Sequence, residues 1–325
     1  GGHRDLRNRL SGHYHDRYGV SVAADRFFIT TGSSAGFSLA FLSLFDVGDR
    51  FAIATPGYPA YRNILKALSL DIVEIETDAG TRWAITPDQV RAVHAKKPLK
   101  GILVASPANP SGTMMTPDAL AELLECCREL GIEFISDEIY HGLTYPDETG
   151  IREATALEFS DDAIIINSFS KYFCMTGWRV GYAAGPVGII TAMKKIQSQS
   201  ITCVNAIAQV AAATALNADR SHFDYMLAAF KERHDVVHHA LNAMQGVNCL
   251  KSDGTFYLLP DVSAVIQRLG MKSDIELATH LLNKAHVATV PGTAFGSPGH
   301  IRISIATSLE KLNEAMARIA PICDE

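Results

Sequence analysis

Five short apolar runs alternate with helical patterns over the first half of the chain, at residues 27–31, 50–54, 72–76, 101–105 and 132–136. Parallel strands need a crossover connection between them, and that connection is usually a helix. The alternation therefore predicts an α/β fold in which a largely parallel sheet is covered by helices on both faces.

Helix boundaries and a change in amino-acid composition predict the domain organisation. Thr86-Pro87 and Thr116-Pro117 each place an N-cap residue before a proline at the first helical position, and Gly131 ends the second of these helices. From Thr202 onward the sequence is alanine-rich and helical, and residues 224–244 form one long helical pattern. We expect a large domain over 1–217 and a smaller α+β domain over 218–325.

Polar residues follow several of the predicted strands, including a further apolar run at 163–167. Ligands of open α/β sheets bind at the carboxyl ends of the strands. The segments that follow these strands are therefore predicted to meet in one ligand site.

The segment Asn167-Ser168-Phe169-Ser170-Lys171 begins at the last residue of the run 163–167, and Arg179 follows Lys171 by eight residues. A lysine that forms a Schiff base must be neutral, and a neighbouring cation and burial would lower its pKa from the usual value of about 10.4. Two hydroxyls and a guanidinium suit a phosphate group. Together they indicate pyridoxal 5′-phosphate (PLP) bound covalently to Lys171. The alternative is a surface lysine beside an ordinary strand arginine.

A carboxylate and a phenol stand just past the run 132–136, at Asp137 and Tyr140. A carboxylate can keep a pyridine nitrogen protonated, which makes the ring an electron sink. If a helical turn follows, Tyr140 lies on the same side and can reach the ring oxygen. Asp137 could instead be a helix N-cap. A metal pair with His141 would lack a nearby third ligand.

Two upstream turns complete the predicted site. The two prolines and the glycine of segment 106–112 fix a turn that would direct the amide of Asn109 above the sheet, unless Asn109 serves the turn alone. The small residues of segment 31–36 precede a helix, where backbone N–H groups can bind an anion. They match neither common nucleotide-binding glycine motif. Ser33 or Ser34 could also simply cap the helix.

Arg302 lies in an alternating strand pattern in which Ile301, Ile303 and Ile305 occupy the apolar face. Its planar guanidinium is suited to bidentate capture of a carboxylate. The alternative is an exposed strand arginine with a loose surface partner.

Seven segments in this order resemble the class I/II aminotransferases, which are fold type I PLP-dependent enzymes: TTGSSAGF, PGYPAY, SPANPSG, SDEIY, SFSK, GWRVG and IRIS. The resemblance extends from about Gly2 to the C-terminus. It implies a large domain with a mostly parallel, seven-stranded type of sheet and a smaller C-terminal domain. It also implies a homodimer with active sites near the interface, acting on an amino acid and a 2-oxo acid.

The resemblance also assigns roles to individual residues. It implies that Lys171 forms the Schiff base and then moves the substrate proton, while Asp137 pairs with the pyridinium and Arg302 binds the substrate carboxylate. Tyr140 and Asn109 would hold the ring oxygen, with Asn109 also near the substrate. The phosphate would be bound by Ser33, Ser34, Ser168, Ser170 and Arg179. Tyr58 would stack on the cofactor ring, although it could equally pack in the turn between its neighbouring prolines.

The first residues depart from the family pattern. Gly2, Leu6 and Arg7 resemble a segment that follows an N-terminal arm and a substrate-contacting loop in family members, and we expect both to be missing here. The missing arm leaves open a truncated PLP-binding protein without turnover. A PLP-dependent carbon–sulfur β-lyase is a second alternative to an aminotransferase, because it would share nearly all the site residues. A nucleotide-binding α/β protein is a third alternative, and it would lack the yellow colour of a protein that holds PLP.

Charge and cysteine content limit the possible partners. The net charge of −6 and the lack of a dense basic stretch argue against nucleic acid, and no apolar run is long enough to span a membrane. The six cysteines lack CxxC spacing and are expected to be buried free thiols, which suggests the cytoplasm. No metal site is predicted: His234, His238 and His239 on the long helix are expected on a solvated face.

Overall fold

The computed structural model describes residues 1–145 and 150–324. In these residues the strands are β1 Phe27–Thr30, β2 Arg50–Thr55, β3 Asp71–Glu76, β4 Gly101–Ala105, β5 Glu133–Asp137, β6 Ile164–Ser168, β7 Gly181–Ala184, β8 Tyr257–Leu258, β9 Val290–Pro291 and β10 Ile301–Ser304. The α-helices are α1 Arg4–Tyr18, α2 Gly32–Leu44, α3 Pro59–Ala67, α4 Pro87–Lys96, α5 Pro117–Leu130, α6 Val187–Ser200, α7 Ala206–Leu216, α8 Ser221–Ala243, α9 Ser263–Arg268, α10 Asp274–Ala285 and α11 Leu309–Asp324.

Seven strands form one sheet in the order β1-β7-β6-β5-β4-β2-β3. Along the sheet, the neighbours β3, β2, β4, β5 and β6 pair in parallel. Strand β7 is antiparallel to both β6 and β1. The predicted apolar runs coincide with β1 to β6 to within a residue or so at each end, so the mostly parallel α/β fold is confirmed.

The carboxyl ends of six strands lie at the same edge of this sheet. Since β7 is antiparallel to both of its neighbours, β1 runs in the same direction as β6. The segments that follow β1, β2, β4, β5 and β6 therefore meet at one edge, as the sequence predicts.

The predicted helix boundaries are also confirmed. Thr86 and Thr116 cap α4 and α5 through their side chains, each with proline at the first helical turn. Gly131 follows α5 in the left-handed conformation, at φ +65°. The long helix predicted at 224–244 is α8.

The C-terminal part of the chain builds a small antiparallel sheet in the order β8-β10-β9. One apolar cluster draws all its buried members from residues 237–323, and two others lie wholly within residues 6–216. A fourth cluster joins the two parts through Tyr140, Tyr172, Phe223 and Tyr257.

The expectation of a solvated histidine face on α8 is wrong for His234. Its side chain is buried, stacks on His238 and accepts a hydrogen bond from the backbone N–H of Ser252 at 3.2 Å. The segment after α8 folds back over this face of the helix, and a helical pattern alone does not show such a contact.

The cysteines are only partly as expected. All six thiols are free, and four are buried, but Cys174 and Cys203 are exposed. Within the described residues, none of the helices combines the length and apolar character needed to cross a membrane.

Candidate active site

A cleft of about 310 Å³ opens at the carboxyl edge of the large sheet. This volume is at the lower end of the range typical of small-molecule sites. Ten of the eleven residues predicted for the site line it: Ser33, Ser34, Tyr58, Asn109, Asp137, Tyr140, Ser170, Lys171, Arg179 and Arg302. Ser168 is the exception.

Lys171 projects into this cleft from the loop after β6. Its Nζ lies 5.8 Å from the ring centroid of Tyr140 and 5.6 Å from that of Phe256. Burial lowers the pKa of the Lys171 amine, and the positive charges of Arg302 and Arg179 lower it further, against the opposing effect of Asp137. The amine is therefore more readily neutral, and hence nucleophilic, than a surface lysine.

Asp137 is the last residue of β5 and is buried at the base of the cleft. One carboxylate oxygen accepts a short hydrogen bond from the hydroxyl of Tyr61 and the other accepts from the backbone N–H of Ile139 at 3.0 Å. Burial raises the pKa of Asp137 to about 6, despite these hydrogen bonds. A cationic partner in the cleft would favour the carboxylate form.

The turn predicted after Asp137 brings Tyr140 to the same cleft, since the backbone N–H of His141 donates to the carbonyl of Glu138 at 3.0 Å. The Tyr140 hydroxyl donates to that of Tyr257 at 3.4 Å. Burial raises the pKa of Tyr140 above its usual value, so this phenol stays protonated and can donate a hydrogen bond.

The end of the cleft that is predicted to bind an anion lies at the first turn of α2. The N-cap residue of α2 is Thr31, so Ser33 and Ser34 lie within the first turn and do not cap the helix. The Thr31 side chain makes no capping hydrogen bond. The first backbone N–H groups of a helix lack intrahelical partners and face negative charge favourably. Opposite them, Arg179 is held with its Nη1 donating to the carbonyl of Thr176 at 3.0 Å.

Two glycines allow this close approach. A Cβ atom on Gly32 would lie 2.3 Å from Nη2 of Arg179, and Gly32 has φ +75°. A Cβ atom on Gly181 would lie 2.8 Å from the backbone nitrogen of Ser33. The guanidinium and the helix start are thus packed together in a way that suits a phosphate group.

Ser168 and Ser170 differ in their surroundings. Ser170 lines the cleft. The hydroxyl of Ser168 donates to the carbonyl of Val180 at 3.0 Å and accepts from the backbone N–H of Ser170 at the same distance. In this structure Ser168 therefore supports the loop that carries Ser170 and Lys171, and its predicted phosphate contact stays a prediction.

Arg302 enters the cleft from β10, with Ile301 and Ile303 buried on the other face as the alternation predicts. Its Nη1 donates to the side-chain oxygen of Asn109 at 2.8 Å. Its Nε is buried without a hydrogen-bond partner among the described residues. A buried, unsatisfied guanidinium N–H is suited to an incoming carboxylate.

Tyr58 is the N-cap residue of α3 and is partly exposed at the mouth of the cleft. Its ring meets that of Tyr61 edge to face, with 5.4 Å between centroids. The turn between its neighbouring prolines therefore leaves one side of the Tyr58 ring available to the cleft.

The family model for aminotransferases of class I and II matches residues 1–319 of the chain. The chain is 36% identical to the valine–pyruvate aminotransferase of Mycobacterium tuberculosis over 319 residues, which are 97% of this chain and 80% of that protein. It is 34% identical to the aspartate/prephenate aminotransferase of Nitrosomonas europaea, covering 99% of this chain and 83% of that protein. The chain belongs to the class I and II aminotransferase family.

Solved structures agree with this assignment. The crystal structure of an aminotransferase from Mycobacterium tuberculosis superposes with a TM-score of 0.93 at 36% identity, covering 99% of this chain and 82% of the other. The protein is thus a PLP-dependent aminotransferase, and enzymes of this family bind PLP through a lysine Schiff base. The cleft fits this cofactor: it has a lysine of lowered pKa, a buried carboxylate and an anion-binding end.

Seven residues that line the cleft were not predicted as site residues from the sequence: Phe37, Tyr61, Ala105, Pro107, Ile139, Thr176 and Tyr257. Phe295, which contacts Arg302, was not predicted either. Tyr61 and Tyr257 line the cleft and contact predicted site residues. Tyr61 lies three residues after Tyr58, a helical spacing that could have indicated a shared face. No pattern in the sequence pairs Tyr257 or Phe295 with Arg302.

The alternative of a metal pair gains no support from these contacts. Both oxygens of Asp137 are used by Tyr61 and Ile139, and Nε2 of His141 faces the carbonyl of Ser106 at 3.0 Å. Over residues 1–145 and 150–324, no group of three acidic, histidine or cysteine side chains is placed to hold a metal ion.

Substituting alanine for Gly32 is expected to weaken PLP binding by about tenfold or more, because the new methyl group would displace the Arg179 guanidinium. The positive φ adds roughly 1 kcal/mol of backbone strain. Fluorescence titration of the cofactor-free protein would measure the affinity. Gly19→Ala is the matched control, since Gly19 has φ +70° and a Cβ atom there would meet none of the described residues within 4 Å. Equal PLP affinity in the two variants would contradict the expected role of this close approach.

Proposed function

We propose that Lys171 binds the cofactor and moves the substrate's α-proton in transfer of an amino group from an L-amino acid to a 2-oxo acid. The observation that carries this assignment is the position of the amine. Lys171 lies in the cleft with its pKa lowered by burial and by Arg302 and Arg179. In its neutral form such an amine can act first as a nucleophile and then as a general base.

The remaining side chains have distinct proposed roles. PLP, when bound, supplies an electron sink for the carbanion formed at the substrate's α-carbon. Asp137 would keep the pyridine nitrogen protonated, a role supported by its burial at the base of the cleft. Tyr140 and Asn109 would donate hydrogen bonds to the ring oxygen, and Tyr58 would cover one face of the ring.

The two ends of the cleft bind two different anions in this proposal. Ser33, Ser34, Ser170 and Arg179 would hold the phosphate, with Ser168 acting through Ser170. Arg302 would hold the substrate carboxylate, supported by its buried and unsatisfied Nε and by its bond to Asn109. The substrate's α-carbon would then lie between the carboxylate at Arg302 and the amine of Lys171.

A half-reaction tests this function directly. The purified protein loaded with PLP is mixed with single amino acids, and the loss of cofactor absorbance and the formation of the matching 2-oxo acid are followed. Amino transfer predicts the pyridoxamine form of the cofactor and one oxo acid per site. Release of pyruvate and ammonia from a cysteine conjugate, without transfer to 2-oxoglutarate, would instead indicate a β-lyase. No spectral change with any amino acid would indicate a PLP-binding protein without turnover.

We also propose that the protein is a homodimer. The segment 201–210 exposes three apolar side chains, Ile201, Ile207 and Val210. Trp178 is exposed in the connection between β6 and β7. Exposed apolar groups of this kind are typical of subunit interfaces. Sedimentation equilibrium should give twice the chain mass of 35.2 kDa, and a value at the monomer mass would refute the proposal.

Two further proposals concern organisation and location. The division into domains at 1–217 and 218–325 is supported by the apolar cluster whose buried members all come from residues 237–323. A cytoplasmic location is supported by six free thiols. Limited proteolysis that does not cut near Asn217, or cell fractionation that places the protein outside the cytoplasm, would count against them.

A further inference from the structure

Tyr257 lies where the proposed carboxylate site meets the proposed ring-oxygen site. It lines the cleft from β8, beside β10, and it is almost fully buried. Its backbone N–H donates to the hydroxyl of Thr255 at 3.0 Å, and its carbonyl accepts from the hydroxyl of Ser252 at 3.0 Å. These two hydrogen bonds hold the Tyr257 backbone, from which the side chain reaches the cleft.

The ring of Tyr257 contacts the guanidinium of Arg302. The Cζ atom of Arg302 lies 4.1 Å from the Tyr257 ring centroid and 4.7 Å from that of Phe295. Both contacts are within cation–π range, and the attraction is stronger where water is excluded. Together with the hydrogen bond to Asn109, these two rings determine how the guanidinium is oriented in the cleft.

The hydroxyl of Tyr257 contacts a different site residue. It accepts a hydrogen bond from the Tyr140 hydroxyl at 3.4 Å. A phenol has only one proton to donate. While Tyr140 donates to Tyr257, that proton is not available to another acceptor in the cleft.

We propose that Tyr257 is a positioning residue with two separable effects: its ring orients Arg302 for the substrate carboxylate, and its hydroxyl competes for the proton of Tyr140. This inference rests on the roles proposed above for Arg302 and Tyr140. It links recognition of the substrate carboxylate to the hydrogen bonding available to the cofactor's ring oxygen.

Two variants of the PLP-loaded enzyme separate these effects. Tyr257→Phe keeps the ring and removes the hydroxyl, whereas Tyr257→Leu removes both. Propionate, a monocarboxylate without an amino group, is the probe for Arg302, and its Kd is measured by calorimetry. We expect the leucine variant to bind propionate about tenfold more weakly. The phenylalanine variant should stay within about twofold of the unmodified enzyme.

The second measurement is the pH titration of the cofactor's absorbance. If Tyr257 had only a structural role, its substitution would not shift the midpoint of this titration. Without the Tyr257 hydroxyl, Tyr140 can donate fully to the ring oxygen. That hydrogen bond stabilises negative charge on the oxygen and makes the linked nitrogen less basic. We therefore expect the midpoint of the absorbance titration to lie about half a pH unit lower in both variants than in the wild-type enzyme.

Tyr145→Phe is the matched control. It removes a buried hydroxyl that donates to the carbonyl of Thr255, close to Tyr257 but outside the cleft. Both measurements should be unchanged in this variant. Wild-type propionate affinity in Tyr257→Leu, or an unchanged or raised titration midpoint in Tyr257→Phe, would overturn the inference. Failure of the underlying function is distinguishable, because the wild-type protein would then show no borohydride-reducible adduct at Lys171.

Discussion

Replacing Lys171 with alanine is expected to reduce amino transfer by at least about 10⁴-fold, because one amine serves both as the covalent attachment point and as the proton carrier. The structure places this amine in the cleft with a lowered pKa, 5.6–5.8 Å from two aromatic ring centroids. In the described part of the cleft, no second lysine is among the lining residues.

Covalent attachment is measured separately from turnover. After borohydride reduction, mass spectrometry should find the cofactor on the peptide that contains Lys171 in the unmodified protein, and on no peptide of the alanine variant. Lys171→Arg keeps the positive charge but cannot form a Schiff base, so it should lose activity to a similar extent. Lys284→Ala, on the exposed last turn of α10, is the control and should keep full activity. A reduced adduct that persists in Lys171→Ala would show that the assignment is wrong.

Asp137→Asn is expected to lower kcat by about 10²- to 10³-fold. An amide carries no negative charge, so it cannot keep the pyridine nitrogen protonated, and the ring becomes a weaker electron sink. Glu138→Gln is a demanding control, because Glu138 is an equally buried neighbouring carboxylate that lies outside the cleft and bonds to Thr155 and Ala156. Turnover should depend far less on Glu138 than on Asp137.

The same substitution is expected to stabilise the protein when no cofactor is bound. Burial raises the folded-state pKa of Asp137 from 3.8 to about 6, so the folded protein holds this proton more tightly than the unfolded chain does. Stability is therefore lost as the pH rises through this interval, and the loss remains above it. At pH 7, the free energy of unfolding of cofactor-free Asp137→Asn should exceed that of the wild type by on the order of 3 kcal/mol.

Denaturant unfolding at several pH values would measure this difference. The stability advantage of Asp137→Asn should vanish near pH 4 and reach its full size above about pH 6. With PLP bound the order should reverse, because the pyridinium then stabilises the charged carboxylate. If wild type and variant show the same pH dependence without cofactor, Asp137 does not have the raised pKa on which this prediction depends.

The sequence predicted the sheet and most of the site because both depend on local patterns. Apolar runs of strand length gave β1 to β6, and threonine before proline gave the starts of α4 and α5. Apart from Arg302, which lies on β10 of the small sheet, the predicted site residues lie at or after the ends of strands whose carboxyl ends share one edge of the large sheet. The meeting of these residues in one cleft therefore follows from strand direction.

The tertiary structure decided which side chains support the site. The bond from Tyr61 to Asp137 spans 76 positions, and Arg302 lies 193 positions from Asn109. Other contacts also depend on the tertiary structure. Arg302 stacks on Tyr257 and Phe295, the Ser168 hydroxyl donates to Val180, and His234 is buried. Periodicity specifies which face of an element is buried, but not which distant residue packs against it, because that depends on how complete elements fit together.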